Sequence, residues 1–291
     1  MTYYVRSPGT CGEFLQGSIN GQRFLVTCPI NRYSYAMSQV SHPLRTQYCS
    51  LQPKSYVAME KTKQLLNKTD EDIPVYMRSE IMQGKGMASS SADISVTAMA
   101  TALACGRPLT MKELEQICLA IEPSDAAFYP GIIQFDYIKG TVANSLGFVP
   151  PMKILIFDEG GMIDTLEFNR RKDLEQLIKE KESLIEEALT VFKKGVELHD
   201  IGLIGQAATI SAFANQRILA KDSLYELHDI GQFYNSVGTI IAHSGTIVGL
   251  LFPSDFQNLV ACKNEVIQRL PKLTFLDILE TTSDGITFLR R

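Results

Sequence analysis

The chain has 291 residues, of which 45% are hydrophobic and 21% charged, and its formal net charge is −4 at pH 7. These proportions are typical of a globular protein and exclude a disordered or fibrous chain. Without a Lys- and Arg-rich run the sequence has no marked surface for nucleic acid, so we expect no nucleic-acid partner. The length suits one large domain or two ordinary ones.

The start of the chain, MTYYVRSPGT, lacks the basic, apolar and small-residue regions of a signal peptide, and the longest apolar stretches are interrupted by polar residues. Secretion and membrane spanning are therefore disfavoured. The cysteines are scattered, with no CxxC pair and no HxxxH companion for zinc. They stand at positions 11, 28, 49, 105, 118 and 262. We expect reduced thiols in a cytoplasmic protein.

In the first half of the chain, apolar and polar residues alternate over 24–38, which predicts a strand. Residues 87–105 are rich in Ala, Ser, Thr and Met and predict a buried helix. A capping-box sequence at 110–113 predicts another helix, to about Ile121. The residue pattern of the sequence changes near Pro150, where we place a boundary between domains 1–150 and 151–291.

In the second half, an apolar run over 153–157 predicts a short strand. Apolar residues at helical spacing between Leu174 and Phe192 predict a helix with Gly195 as its C-cap. The remaining expected elements are helices within 199–219 and 222–236, two strands around 238–252, a helix capped by 254–257, and a strand within 273–289. This succession predicts an α+β fold rather than a Rossmann fold or TIM barrel.

The segment QGKGMASSSAD, residues 83–93, is a Gly- and Ser-rich loop that leads into the buried helix. Glycines let the backbone approach an anion closely, and free amides at a helix N-terminus stabilise its charge. The hydroxyls of Ser89, Ser90 and Ser91 can donate to phosphate or ligate Mg²⁺. The spacing fits neither a Walker A loop nor GxGxxG. Taken alone, the serines suit an ordinary N-cap equally well.

Two other glycine-bearing segments suit a binding cleft. Residues 7–17 (SPGTCGEFLQG) contain three glycines and a proline, which indicates a bent or closely approached backbone near Glu13 and Gln16. A strand with a bulge and a turn explains them equally. Residues 242–249 (AHSGTIVG) form a glycine-bearing turn between apolar runs, which by itself indicates a hairpin.

A fourth segment, residues 121–125 (IEPSD), places two carboxylates on a Pro-Ser turn. Near a phosphate site, such a carboxylate can act as a general base or a metal ligand. The alternative is a solvated turn at a helix end with Asp125 as a cap.

Taken together and in this order, the four segments resemble the GHMP small-molecule kinases, the superfamily named for galactokinase, homoserine, mevalonate and phosphomevalonate kinases. Residues 8–13 resemble motif one, GKGMASSSA at 84–92 resembles the GxGLGSSAA phosphate loop, and SGTIVG at 244–249 resembles a degenerate motif three. The resemblance covers nearly the whole chain. It implies an N-terminal ATP-binding domain with a left-handed βαβ crossover and a C-terminal ferredoxin-like domain, with ATP and acceptor between them.

Within the superfamily, residues 7–17, 27–29 (TCP) and 122–125 (EPSD) look most like the L-threonine kinases of cobalamin biosynthesis and propanediol utilisation. This resemblance implies ATP- and Mg²⁺-dependent phosphorylation of free L-threonine to L-threonine O-3-phosphate, the source of the aminopropanol linker of cobalamin. Two alternatives stay open: a kinase for homoserine or another small hydroxylated metabolite, and a nucleotide-binding regulatory protein without transfer activity.

The resemblance also implies roles for individual residues. Ser90 and Glu122 would hold Mg²⁺, and Asp125 would accept the proton of the acceptor hydroxyl. The residues that would contact the nucleotide are Gly84, Lys85, Gly86, Met87, Ala88, Ser89, Ser90, Ser91, Gly245 and Gly249.

The sequence departs from the family pattern in two places: motif one lacks a lysine, and motif three lacks the usual glycine cluster, having residues 246–248 (TIV) between its two glycines. Thr10 stands where several members have a lysine, and Lys85 is the candidate catalytic cation in its place. A free amino acid needs an anion for its ammonium group and donors for its carboxylate. Glu13 and Gln16 are the candidate substrate residues because motif one should face the cleft.

Overall fold

The computed structural model describes residues 2–39, 51–163, 168 and 170–290, so the predicted free thiol of Cys49 lies outside it. Within these residues the strands are β1 (Thr2–Ile19), β2 (Gln22–Gln39), β3 (Val75–Ser79), β4 (Ile132–Phe135), β5 (Ala143–Gly147), β6 (Met152–Asp158), β7 (Gly238–Ile241), β8 (Ile247–Pro253), β9 (Thr274–Glu280) and β10 (Thr287–Arg290). The helices are α1 (Pro53–Leu65), α2 (Ser89–Ala104), α3 (Met111–Leu119), α4 (Leu174–Glu180), α5 (Glu182–Leu198), α6 (Ile201–Ala214), α7 (Leu224–Phe233) and α8 (Leu259–Arg269).

The described strands join one antiparallel sheet in the order β5-β4-β2-β1-β7-β8-β6-β9, with β3 beside β2 and β10 beside β1. Its centre is the long hairpin of β1 and β2, whose register shifts between Pro8 and Thr10 and again on either side of Glu13. Such bulges bend a strand and redirect its side chains. The interpretation of residues 7–17 as a strand with a bulge is confirmed, and the bulges turn Glu13 toward the interior.

The second half of the chain follows a β-α-β-β-α-β succession, from β6 through α4–α7, β7, β8 and α8 to β9. These strands lie in the order β7-β8-β6-β9, which is the expected ferredoxin-like arrangement. The Glu13–Ile241 pair joins this part to β1, while β10 returns to pair with the start of β1. The division at residue 150 stays a prediction.

The buried helix predicted over 87–105 is α2, which has almost all its residues in the interior. It packs against α1, α3 and the outer halves of β1 and β2, with Ile94 and Met99 at the centre of the cluster. A second cluster packs α5 and α6 against the hairpin, where Phe14 contacts Phe192. The capping box of Thr110 and Glu113 is present at the start of α3. No helix in the described ranges has the length and apolarity needed to cross a membrane.

Two cap predictions were wrong. Helix α5 continues through Gly195 to Leu198, and His199, at φ 55°, ends it. A Cβ at 195 would lie 2.9 Å from the backbone nitrogen of Ile204, so this glycine allows α6 to pack closely on α5. Residues 254–257 do not cap α8, whose N-cap residue is Asn258.

Candidate active site

The predicted site segments meet at a cavity of about 490 Å³. Its wall includes the phosphate loop, the start of α2, the start of α1 and the 122–125 turn. The acidic side chains that line it are Glu13, Asp93, Glu122 and Asp125. Among the described residues, Lys54 is the one cationic side chain in the lining.

The phosphate loop reaches the cavity through left-handed backbone at Gly84 (φ 70°), Gly86 (φ 84°) and Ala88 (φ 54°). Ala88 is the N-cap residue of α2 and has no side chain able to cap it. The first-turn amides of α2 therefore keep their donor capacity for a ligand. A non-glycine residue in left-handed conformation costs about 1–3 kcal/mol, and such strain is concentrated at functional sites. The N-cap alternative for the three serines is wrong.

Backbone hydrogen bonds tie the phosphate loop to both other glycine-bearing segments. The amide of Thr10 donates to the Met87 carbonyl at 3.0 Å, and the amide of Thr246 donates to the Lys85 carbonyl at 3.0 Å. Thr10, where several members of the superfamily that the sequence resembles have a lysine, therefore contributes a backbone hydrogen bond rather than a charge to this junction.

The predicted glycines of motif three lie in different places. Gly245 packs directly on the loop, because a Cβ on it would come within 2.5 Å of the Gly86 Cα. Gly249 lies inside β8, opposite Ile156 and Ile240, and does not line the cavity. The structure brings Gly245 alone of the pair to the phosphate loop.

Lys85 points away from the cavity lining. Its Nζ lies 2.6 Å from an oxygen of Asp158 and donates to the Gly161 carbonyl at 2.9 Å. Thr246 Oγ1 donates to the other Asp158 oxygen at 2.5 Å. Burial by itself would raise the pKa of Asp158, but the hydrogen bonds from Lys85 and Thr246 hold it below its ordinary value. The structure thus places Lys85 in an ion pair, and its catalytic role stays a prediction.

Asp125 is held in the cavity wall by a hydrogen bond of its backbone amide, and its carboxyl group is buried. Its amide donates to Ser91 Oγ at 3.2 Å, while its Oδ1 is buried without a hydrogen-bond partner among the described residues. Burial, followed by the charges of Glu13 and Glu122, raises the pKa of Asp125 to about 8. A buried carboxyl with a raised pKa in a cleft is typical of a proton acceptor. This geometry is not that of a helix cap.

The two predicted metal residues, Ser90 and Glu122, both line the cavity. The carboxylate of Glu122 pairs with the ammonium group of Lys54. Across the described part of the chain, no group of three His, Cys, Asp or Glu side chains could hold a metal ion. Mg²⁺ in phosphoryl-transfer sites commonly uses one or two carboxylates together with the substrate phosphates.

Glu13 belongs to a buried network that sequence patterns do not reveal. Its Oε2 accepts from the His243 amide at 2.9 Å and lies 3.0 Å from His243 Nδ1. His243 Nε2 lies 2.9 Å from Ser211 Oγ, and this hydroxyl oxygen accepts from the backbone amide of Gln16 at 3.2 Å. The network spans β1, α6 and the turn after β7, and it fixes the Glu13 carboxylate at the cavity wall.

The charges of this network are set mainly by burial. Burial raises the pKa of Glu13 to about 7, although the His243 amide, Lys181 and Lys221 oppose the rise. Burial, followed by the charge of Lys181, holds the pKa of His243 well below its ordinary value. We therefore assign a neutral imidazole whose Nδ1–H donates to Glu13 and whose Nε2 accepts from Ser211.

Gln16 does not line the main cavity. It borders a separate space of about 10 Å³ together with Lys181 and His243, which is room for about one water molecule. Its Oε1 is buried without a partner among the described residues. Of the two predicted substrate residues, Glu13 alone faces the main cavity.

Comparison with known proteins identifies the family. Residues 55–131 match the family described as GHMP kinases N terminal domain. The chain is 30% identical to the L-threonine kinase of Salmonella typhimurium over 273 residues, which is 93% of this chain and 89% of the relative. This chain belongs to the GHMP kinase family, whose members use ATP. It is an ATP-dependent kinase.

Solved structures confirm the α+β two-domain fold. The homoserine kinase of Cytophaga hutchinsonii has a TM-score of 0.69 at 14% identity, covering 99% of this chain and 97% of that one. The complex of MDDEF with MVAPP, AMPPCP and magnesium has a TM-score of 0.70 at 13% identity, covering 100% and 99%. At these identities the likeness concerns the fold alone.

Proposed function

We propose that this protein transfers the γ-phosphoryl group of ATP to the side-chain hydroxyl of free L-threonine, forming L-threonine O-3-phosphate and ADP. The product would supply the aminopropanol linker of cobalamin after decarboxylation. The likeness to an L-threonine kinase over 93% of the chain supports this acceptor. The observation that carries the chemistry is the carboxylate of Asp125, which lies in the same cavity as the start of α2 and whose buried Oδ1 has no hydrogen-bond partner among the described residues.

In this proposal the nucleotide's phosphates lie against residues 84 and 86–91, all of which line the cavity. The amides and hydroxyls at the start of α2 donate to phosphate oxygens. Ser90 and Glu122 hold Mg²⁺, which neutralises phosphate charge when it is bound. In-line positioning and neutralisation of phosphate charge supply most of the rate in such transfers.

Asp125 completes the reaction as the proton acceptor. The acceptor oxygen forms its bond to the γ-phosphorus as the bond to ADP breaks, and the hydroxyl proton passes to Asp125. In its ionised form, this carboxylate is a stronger base than an exposed aspartate, because burial raises its pKa. Asp125 Oδ1 has no hydrogen-bond partner among the described residues, so a proton accepted at this oxygen displaces no existing hydrogen bond.

The acceptor is tested by ADP release from the purified protein with Mg-ATP and L-threonine, L-serine, L-homoserine, mevalonate or no acceptor. We expect turnover with L-threonine and a product whose mass and fragmentation match L-threonine O-3-phosphate. Turnover with homoserine in preference to threonine would keep the kinase and reject this acceptor. ADP release that is independent of every acceptor would reject transfer to these substrates.

Glu13 is proposed to bind the acceptor's ammonium group. Glu13→Gln is expected to raise the KM for L-threonine about 10- to 100-fold, because a hydrogen bond to a charged group contributes about 1.5–3 kcal/mol. The KM for ATP should change less than about twofold, since the start of α2 is intact. Steady-state kinetics with each substrate varied in turn measures both values.

The matched control for Glu13 is Glu187→Gln, which changes an exposed carboxylate on α5 away from the cavity. This control should leave both KM values unchanged. Equal losses for L-threonine and ATP in Glu13→Gln would contradict the ammonium assignment and indicate general damage to the cavity. Unchanged KM for L-threonine would also contradict it.

A further inference from the structure

The start of α1 forms a second helix N-terminus in the wall of the cavity. Residues 52–55 all line it, and α1 extends over 13 residues. The N-cap residue Gln52 makes no side-chain hydrogen bond to the first turn. Pro53 has no N–H, so the amides of Lys54 and Ser55, together with the positive end of the helix dipole, favour an anion at this end of the cavity.

Ser55 provides an independent indication of a ligand here. Its side chain is 1% exposed, and its Oγ has no hydrogen-bond partner among the described residues. Buried hydroxyl groups are nearly always hydrogen-bonded in native proteins, so an unpaired one at a cavity indicates a missing partner. An oxygen of a bound anion would accept from this hydroxyl.

Lys54 supplies a positive charge for an anion at the start of α1. It is the cationic side chain that the described lining offers, whereas Lys85 is paired with Asp158 outside that lining. The ammonium of Lys54 pairs with Glu122, whose side chain is 11% exposed compared with 49% for Lys54. Lys54 is thus the more exposed partner, and its flexible four-carbon side chain lets the ammonium reach another acceptor.

We propose that Lys54 and Ser55 bind the phosphates of ATP, and that Lys54 exchanges Glu122 for a phosphate oxygen when the nucleotide enters. Lys54 would then supply the positive charge that Thr10 does not. The exchange also frees the Glu122 carboxylate for Mg²⁺, a step that rests on the metal role in the proposed function. The start of α1 and the start of α2 would hold the nucleotide's phosphates from two sides.

Calorimetric binding of AMPPNP and AMP, without any acceptor, tests the phosphate contact. Lys54→Gln should weaken AMPPNP binding about 10- to 100-fold, because a charge-assisted hydrogen bond is lost, and AMP binding less than about threefold. Ser55→Ala should weaken AMPPNP binding about 3- to 10-fold. Lys61→Gln, on α1 but outside the cavity lining, is the matched control and should bind like the wild type.

The exchange is tested in Mg²⁺-free buffer with Glu122→Gln and the double variant Lys54→Gln/Glu122→Gln. Glu122→Gln should bind AMPPNP more tightly than the wild type, since Lys54 is released from its ion pair. In the double variant this gain should disappear. The affinity for AMPPNP could instead rise equally when Glu122→Gln is introduced into the wild type and into Lys54→Gln. That result would show that Glu122 merely repels phosphate, and it would overturn the exchange.

The outcomes separate this inference from the proposed acceptor, because nucleotide binding requires no turnover of L-threonine. AMPPNP binding to Lys54→Gln within about twofold of wild type would overturn the phosphate contact. A rise in the KM for L-threonine alone would also overturn it, and would assign the start of α1 to the acceptor's carboxylate. Thermal unfolding of each variant checks that the chain is folded.

Discussion

Asp125→Asn is expected to lower kcat about 10²- to 10⁴-fold while the KM for ATP changes less than about twofold. Asparagine keeps the shape of the side chain and the amide that donates to Ser91, but it cannot accept the hydroxyl proton. The start of α2, where the phosphates are proposed to lie, is unchanged. Steady-state and single-turnover rates with L-threonine measure the loss at the chemical step.

The thermal stability of Asp125→Asn serves as the control for its loss of activity. The carboxyl of Asp125 has a pKa near 8 in the folded protein and near 3.8 when unfolded, so between these pH values the folded state binds more protons. Wild-type stability therefore falls as pH rises through this window, and asparagine removes that loss. The Tm of Asp125→Asn should exceed that of the wild type by a margin that grows from about pH 5 to about pH 8.

Two results would contradict the base assignment. A rate for Asp125→Asn within about threefold of wild type would indicate that the hydroxyl proton passes directly to phosphate. A variant that loses stability as well as activity would indicate that Asp125 has a structural role. Neither result bears on the proposed acceptor, because the ADP-release assay with the wild-type protein tests L-threonine separately.

Gly86→Ala is expected to lower the Tm by about 5–15 °C and to raise the KM for ATP at least about tenfold. At φ 84°, the new Cβ would lie 2.3 Å from the Ala242 Cβ and 2.9 Å from the Gly245 Cα. Two of the segments that form the cavity must then separate, which moves the amides of the phosphate loop. Differential scanning fluorimetry and ATP kinetics measure the two effects.

Gly21→Ala is the matched control for Gly86. Gly21 has a similar φ of 72°, but a Cβ there meets no atom within 4 Å. This variant should lose only the cost of left-handed backbone, about 1–2 kcal/mol, with ATP kinetics unchanged. Equal effects of the two substitutions would show that backbone conformation, rather than the contact with Ala242 and Gly245, requires glycine at 86.

Local sequence patterns predicted the helices that depend on interactions between neighbouring residues. The Ala- and Ser-rich composition of residues 87–105 predicted a buried helix, and the capping box of Thr110 and Glu113 predicted the start of α3, because each depends on residues within a few positions. Helix α1 was not predicted, since its polar and apolar residues give a weak periodic pattern. The prediction of Gly195 as the C-cap of α5 was wrong, because this residue is needed for the close contact with α6 and does not end the helix.

The sequence by itself determined the family and the order of the cavity segments, and it predicted that Ser90, Glu122 and Asp125, which all line the cavity, lie close together. The tertiary structure decided which charges face that site. It placed Lys85 against Asp158, brought Lys54 to the cavity, and joined Glu13 to His243 across 230 positions of the chain. Motifs are recognisable because they need fixed local spacing, whereas ion pairs and buried networks depend on contacts that form only when distant segments pack.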